Sequence, residues 1–211
     1  MTTIAILGSG RVATSLAAGL ARGGHTLFIG VRKPEGTKPW DGPTATFVTH
    51  AEAIAAAEIV FNATPGDTSV ERLAALADAL RGKLLVDVAN ATGRDEAGRP
   101  TGLLYPTDSL AERLQSALPA TRVVKTLNTM LAPVMSNPAM LTASPTVFLS
   151  GDDAEDKATV RALLADMGWE NRSMLDLGGI ATARGPEAVM LMVSDIMKAS
   201  GFKPFAVAVA Y

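Results

Sequence analysis

Short apolar runs alternate along the chain with longer stretches in which apolar residues recur every three or four positions. The runs at 4–7, 26–31, 44–49, 59–63, 84–89, 122–127, 146–150 and 172–177 predict strands, because they are short, rich in aliphatic and β-branched residues, and mostly bounded by Gly, Pro, Asn or Asp. The stretches at 11–22, 50–57, 68–80, 109–118, 154–167 and 186–199 predict helices. In the first of these Val12, Leu16 and Leu20 stand four apart and Gly23-Gly24 closes the helix; the last has Pro186 suited to a first turn and Gly201 as its stop. Residues 33–43 read as a Gly- and Pro-rich loop, and 90–108 as a polar loop with some hairpin character. Residues 128–143 read as irregular or partly helical, and 202–211 as an extended tail. Strands alternating with helices bury a sheet between two helical layers, so the expected fold class is α/β, doubly wound, with a mostly parallel sheet and a small C-terminal helical portion. The expected division is a nucleotide-binding domain at 1–178 and a C-terminal helix and tail at 179–211.

Hydrophobic residues make up 48% of the 211 and charged residues 19%, as in an ordinary folded domain. A formal net charge of −2 leaves no general electrostatic footprint for nucleic acid or a membrane surface. No run approaches the roughly 18 apolar residues of a membrane-crossing helix. The run at 4–7 is broken at once by Gly8-Ser9-Gly10-Arg11 with no basic region before it, which argues against a secretion signal and makes a cytoplasmic location the expectation. The absence of cysteine excludes thiol catalysis, disulfides and Cys-ligated metal. His25 and His50 stand at helix ends, where capping is their expected role, and form no metal pair.

Gly8, Gly10 and Ala13 spell G-x-G-x-x-A between a predicted strand and a predicted helix. Gly8 permits a tight turn, Gly10 lets the backbone approach a pyrophosphate, and Ala13 lets the helix pack close to its strand, as in a Rossmann dinucleotide site. The amides of the helix start then face the phosphates. The competing reading is a small-residue packing turn with no ligand. Where NAD-binding versions carry an acid at the end of the second strand, this chain has Val31-Arg32-Lys33. A carboxylate there would repel a 2′-phosphate. Arg32 pairs with one through charge-assisted hydrogen bonds and stacks on adenine, Lys33 adds charge, and Lys38 reaches from the following loop. The preferred cofactor is therefore NADP(H).

The remaining strand ends carry Ala63-Thr64-Pro65, Ala89-Asn90 and Thr126-Leu127-Asn128-Thr129. They offer neutral donors and acceptors, with no acid–base pair. Lys125 reads as an edge or sheet-end lysine and Asp87 as a buried hydrogen-bonded carboxylate, so no catalytic side chain and no metal ligand is assigned. A carbonyl reductase needs a proton donor at the developing alkoxide, whereas hydride exchange between two bound rings needs proximity and orientation. The second suits these residues better. Thr126, Asn128, Thr129 and Met130 are the candidates on the substrate side, with the apolar stretch 130–134 and the Met-rich helix at 189–197 as a flat cover.

Together the segments ILGSGRVATSLAAGLARGGHTLFIGVRKPE, VVKTLNT, LSGDDAEDKATVRALLADMG and DLGGIATARGPEAVMLMVSDIM resemble, in order and over nearly the whole length, the NADP oxidoreductase family that contains the coenzyme F-420-dependent NADP reductases. They are similar also to the cytosolic domains of the six-transmembrane ferric reductases. The resemblance implies a homodimer and direct hydride exchange between NADP(H) and a deazaflavin (coenzyme F-420) or a flavin, FMN or FAD. It places the pyrophosphate on Gly8, Ser9, Gly10, Arg11 and Val12, and the 2′-phosphate and adenine on Arg32. The nicotinamide falls beside Thr64-Pro65 and Ala89-Asn90, and the acceptor beside Thr126 and Asn128. Three positions depart from the family pattern: Arg11, Val31, and Leu127, which stands where K-A-F-N-T has an aromatic ring. The alternatives are an NADPH-dependent reductase of an imine or ketone and a non-catalytic NADP-binding redox sensor.

Overall fold

The protein is described by a computed structural model covering residues 1–35, 39–96 and 100–210. The first half runs β1 (Thr3–Leu7), α1 (Arg11–Arg22), β2 (Thr26–Val31), β3 (Thr46–Thr49), α2 (His50–Ala56), β4 (Ile59–Asn62), α3 (Ser69–Ala74), α4 (Ala77–Leu80) and β5 (Leu84–Asp87). A hairpin of β6 (Thr92–Arg94) and β7 (Pro100–Leu103) follows, then α5 (Leu110–Ala117), β8 (Arg122–Lys125), α6 (Ala132–Ser136), β9 (Val147–Ser150), α7 (Ala154–Asp166), β10 (Met174–Gly178), α8 (Arg184–Ala188) and α9 (Met190–Ser200). Among the described residues eight strands form one sheet in the order β10-β9-β8-β5-β4-β1-β2-β3, parallel except where β8 meets β9. The order reverses between β1 and β4, which is where such sheets open a crevice at the carboxyl ends of their strands.

Strand residues alternate between two cores, as the period of two requires. Ile4, Ile6, Phe61, Val86 and Val124 join α1 and α7 on one face. Ala5, Leu7, Val60, Leu85 and Val123 join α2 and α5 on the other. That parity carries past the apolar part of each strand. Asn62, Asp87 and Lys125, the last residues of β4, β5 and β8, all fall on the second face, and they are adjacent in register, Asn62 beside Asp87 and Asp87 beside Lys125.

The structure refines several expectations. The stretch 68–80 is not one helix: the Leu76 amide bonds the Leu73 carbonyl at 2.9 Å, a tightened three-residue step that separates α3 from α4. The polar loop at 90–108 contains the β6–β7 hairpin. The tail pairs with the segment after β8: Leu131 N donates to Phe205 O at 3.0 Å and Val207 N to Thr129 O at 3.3 Å. His25 caps α1 with its backbone, its amide reaching Leu20 O at 3.3 Å beyond Gly24 at φ +78°. The His25 side chain instead ties α1 to α7 through Asp166, 3.1 Å away.

Candidate functional site

Gly8 ends β1 at φ +113°, and a Cβ there would stand 2.7 Å from the Ala63 carbonyl oxygen, so only glycine fits the turn. Gly10 caps α1, and nothing lies within 4 Å of where its side chain would be. No side chain caps α1, and its first turn holds no acid. Open space over uncapped, outward amides suits a pyrophosphate. Ser9, Gly10 and Arg11 are exposed, and Val12 is half-buried against the core.

At the end of β2, Val31 is buried while Arg32 and Lys33 are exposed. Lys38 lies outside the described residues. Sequence reasoning missed Arg72, on α3. One of its terminal nitrogens reaches Thr68 Oγ1 at 2.7 Å, and the other is buried with no hydrogen-bond partner among the described residues. Arg72 and Arg32 both act on His50, the first residue of α2, which packs over Gly30. Burial, then Arg72, then Arg32 hold His50 below its ordinary pKa, so the imidazole stays neutral beside two guanidiniums. The α2 start is capped by Thr49 and Glu52, not by the His50 side chain. The result is a positive corner at the β2 end.

At the ends of β4, β5 and β8 the expectation of no acid–base pair is overturned, and Lys125, at the sheet end, one of its two expected places, is buried in an ion pair. Lys125 is 1% exposed, its Nζ lying 2.7 Å from Asp87 Oδ2 and 2.8 Å from Glu187 Oε1 of α8, and it also donates to the Ala89 carbonyl. Asp87, fully buried as expected, accepts from Asn62 Nδ2 at 2.8 Å and from the Ala89 amide at 3.3 Å. Asn62 in turn accepts from Thr64 Oγ1 at 2.6 Å. Glu187 also accepts from the Leu110 and Ala111 amides, at 2.8 and 3.2 Å, satisfying the start of α5. Burial disfavours the Lys125 ammonium, but the two carboxylates outweigh it and hold its pKa above the ordinary lysine value. The ammonium is sealed from solvent, and its three N–H groups are spent on Asp87, Glu187 and the Ala89 carbonyl.

Beyond Lys125 the chain turns sharply. Leu127 adopts φ +59° although it is not glycine, a strain of about 1–3 kcal/mol. Asn90 and Asn128 brace it: Asn90 Nδ2 donates to Asn128 O, and Asn128 Nδ2 to Asn90 Oδ1, both at 2.9 Å. Gly66 allows the Thr64-Pro65 loop to close on Asn90, since a Cβ there would lie 2.3 Å from the Asn90 carbonyl oxygen. Thr126, Asn128, Thr129 and Met130 are all buried, and the Thr126 and Thr129 hydroxyls have no hydrogen-bond partner among the described residues. Thus the structure brings Ala63–Pro65, Ala89-Asn90 and Thr126–Met130 together beside the glycine turn, with Arg32 and Lys33 at the opposite end of the strand row.

Comparisons with known proteins agree with this architecture. The family described as NADP oxidoreductase, coenzyme F420-dependent, matches residues 3–91. A solved structure from Arthrobacter sp. FB24, provisionally assigned as an F420-dependent NADP reductase, is 37% identical and superposes with a TM-score of 0.91 over 100% of both chains. The rat metalloreductase STEAP3 is 35% identical over 189 residues, which is 89% of this chain and 36% of that protein. The chain therefore spans just over a third of that curated relative's length. An imine reductase from Aspergillus terreus, solved with NADPH4 and dibenz[c,e]azepine, shares the fold at 21% identity and a TM-score of 0.67, over 96% of this chain and 64% of that one.

Proposed function

From the premise that the chain belongs to the coenzyme F420-dependent NADP oxidoreductase family and is an NADP-dependent oxidoreductase, we propose that it transfers a hydride between NADP(H) and a deazaflavin of the coenzyme F420 type, with FMN or FAD as the alternative ring. The observation that carries this reading is the chemistry of the acceptor wall. Thr126, Asn128 and Thr129 contribute neutral hydroxyl and amide groups, and neither threonine hydroxyl has a hydrogen-bond partner among the described residues, while Lys125 and Asp87 are consumed in an ion pair. Such a wall orients a flat polar heterocycle and supplies no proton to an alkoxide. When bound, NADP(H) supplies the hydride. Gly8 to Val12 hold its pyrophosphate; Arg32, with Lys33 and Arg72, holds the 2′-phosphate; Ala63-Thr64-Pro65 and Ala89-Asn90 flank the nicotinamide; and Met130 covers the acceptor.

An acceptor screen tests this: loss of NADPH absorbance with the deazaflavin coenzyme, FMN, FAD and ferric chelates in turn. Turnover with the deazaflavin or a flavin is the expected result. Turnover only on an imine or ketone, or tight NADPH binding with no turnover on any acceptor, contradicts it. The metalloreductase relative is the reason for the ferric arm.

We also propose that residues 179–211 form a dimerisation and cover segment. No residue of α9 is buried, and Leu191 and Met192 are more than half exposed, an adaptable apolar surface suited to a second copy. Light scattering that returned the 21.8 kDa of one chain contradicts this.

A further inference from the structure

We infer that Lys125 and Glu187 are positioning residues for hydride transfer: a buried polar chain, Thr64–Asn62–Asp87–Lys125–Glu187, sets the nicotinamide-side loops against the acceptor turn. The inference rests on the hydride-transfer reading above. Three strands contribute one residue each to the chain, all on one face and adjacent in register. Each sits directly before a loop of the site. Asn62 Oδ1 accepts from the Thr64 hydroxyl at 2.6 Å and from the Thr64 amide at 3.2 Å. Asp87 and Lys125 hold the two backbone polar groups of Ala89, amide and carbonyl. Lys125 begins the turn through Leu127 to Thr129, whose Asn128 is locked to Asn90.

Stability alone is a poor reason for such a cluster, because replacing buried ion pairs with apolar packing is commonly neutral or favourable. Geometry is a better one. Hydride transfer requires reacting atoms held about 3–3.5 Å apart, and a displacement of about 1 Å costs on the order of a hundredfold in rate. Here the spacing of two loops and a strained turn is referred to one charged knot. Glu187 closes the knot from α8, far along the chain, so the C-terminal segment bears on the site without touching a ligand.

The test uses Glu187→Gln, which keeps an acceptor for the α5 amides and a neutral Lys125–Asp87 pair, and Glu187→Asp, which keeps the charge and shortens the reach. Arg184→Ala serves as the control, because it removes the more exposed Arg184–Glu112 bridge between α8 and α5 and spares the knot. Three quantities are read in the full chain: NADPH affinity, the single-turnover rate with saturating acceptor together with its isotope effect from C4-deuterated NADPH, and the fluorescence lifetime of the bound nicotinamide. The expected result for both Glu187 variants is affinity within about twofold of wild type, a rate at least about tenfold lower with a larger isotope effect, and an altered lifetime. Arg184→Ala is expected to match wild type. Rates within twofold of wild type, affinity lost in step with rate, or an equal rate loss in Arg184→Ala overturns the inference. Should wild type reduce no deazaflavin or flavin, the proposed function fails, and the lifetime alone decides: an unchanged value in Glu187→Gln refutes the positioning role.

Discussion

The ends of β1 and β2 differ in kind from the ends of β5 and β8, although they lie in one row. The first two present backbone amides, open space over Gly10 and exposed cations. The other two present buried side chains whose charges are matched inside the protein. One half presents solvent-facing amides and cations, the groups that the proposed phosphate-bearing ligand would need. The other holds neutral groups still, with its ions paired and buried. An open site tolerates change locally, whereas a sealed one transmits it through the fold.

The sharpest way to break this contrast is Lys125→Met. It leaves Asp87 and Glu187 buried without their cation, and the expected loss is about 3–5 kcal/mol of unfolding free energy. Adding Asp87→Asn and Glu187→Gln removes the stranded charge and is expected to recover most of it. Urea denaturation measures both, and a loss below about 1 kcal/mol for the single variant contradicts the sealed-ion description.

Arg32→Ala is the matching change in the open half. Removing a charge-assisted contact to the 2′-phosphate costs about 1.5–3 kcal/mol, roughly tenfold to hundredfold in kcat/KM for NADPH, with little change for NADH and no loss of fold. Equal efficiency with the two cofactors in wild type refutes the role of Arg32.

The smallest expected effect is on pH. His50 is depressed in the folded protein by burial, Arg72 and Arg32, so below about pH 6.5 the unfolded chain takes up its proton first. Stability of the free protein therefore declines as pH falls through that range. His50→Gln is expected to flatten this part of the profile, and NADP(H) to oppose the decline, because a 2′-phosphate beside His50 favours the protonated ring. Thermal unfolding at several pH values, with and without NADP(H), measures both. A profile identical in His50→Gln would show that another group dominates.

Much of the open half was legible in the sequence because its chemistry is local. Gly8, Gly10 and Ala13 act within one strand–turn–helix unit, and Arg32 follows its strand directly. The buried half was legible only in pieces. Asp87 inside LLVDVA signalled a buried carboxylate, but Lys125 inside RVVKTL was read only as an edge or sheet-end lysine without an ion pair, since nothing near it in sequence offers a partner. Its partners lie 38 and 62 positions away. Three polar residues, each closing an apolar strand, were the available sign. Glu187 and Arg72 carried none, being ordinary residues of helical stretches.

The sequence by itself determined the doubly wound sheet, the glycine turn and the cationic end of β2, because periodicity and short-range spacing are properties of neighbouring residues. Only the tertiary structure decided that Asn62, Asp87, Lys125 and Glu187 form one buried chain. Parallel strands share a register, and their last residues share a face, through contacts between segments far apart in the chain. A buried charge has no stable place until those segments have met.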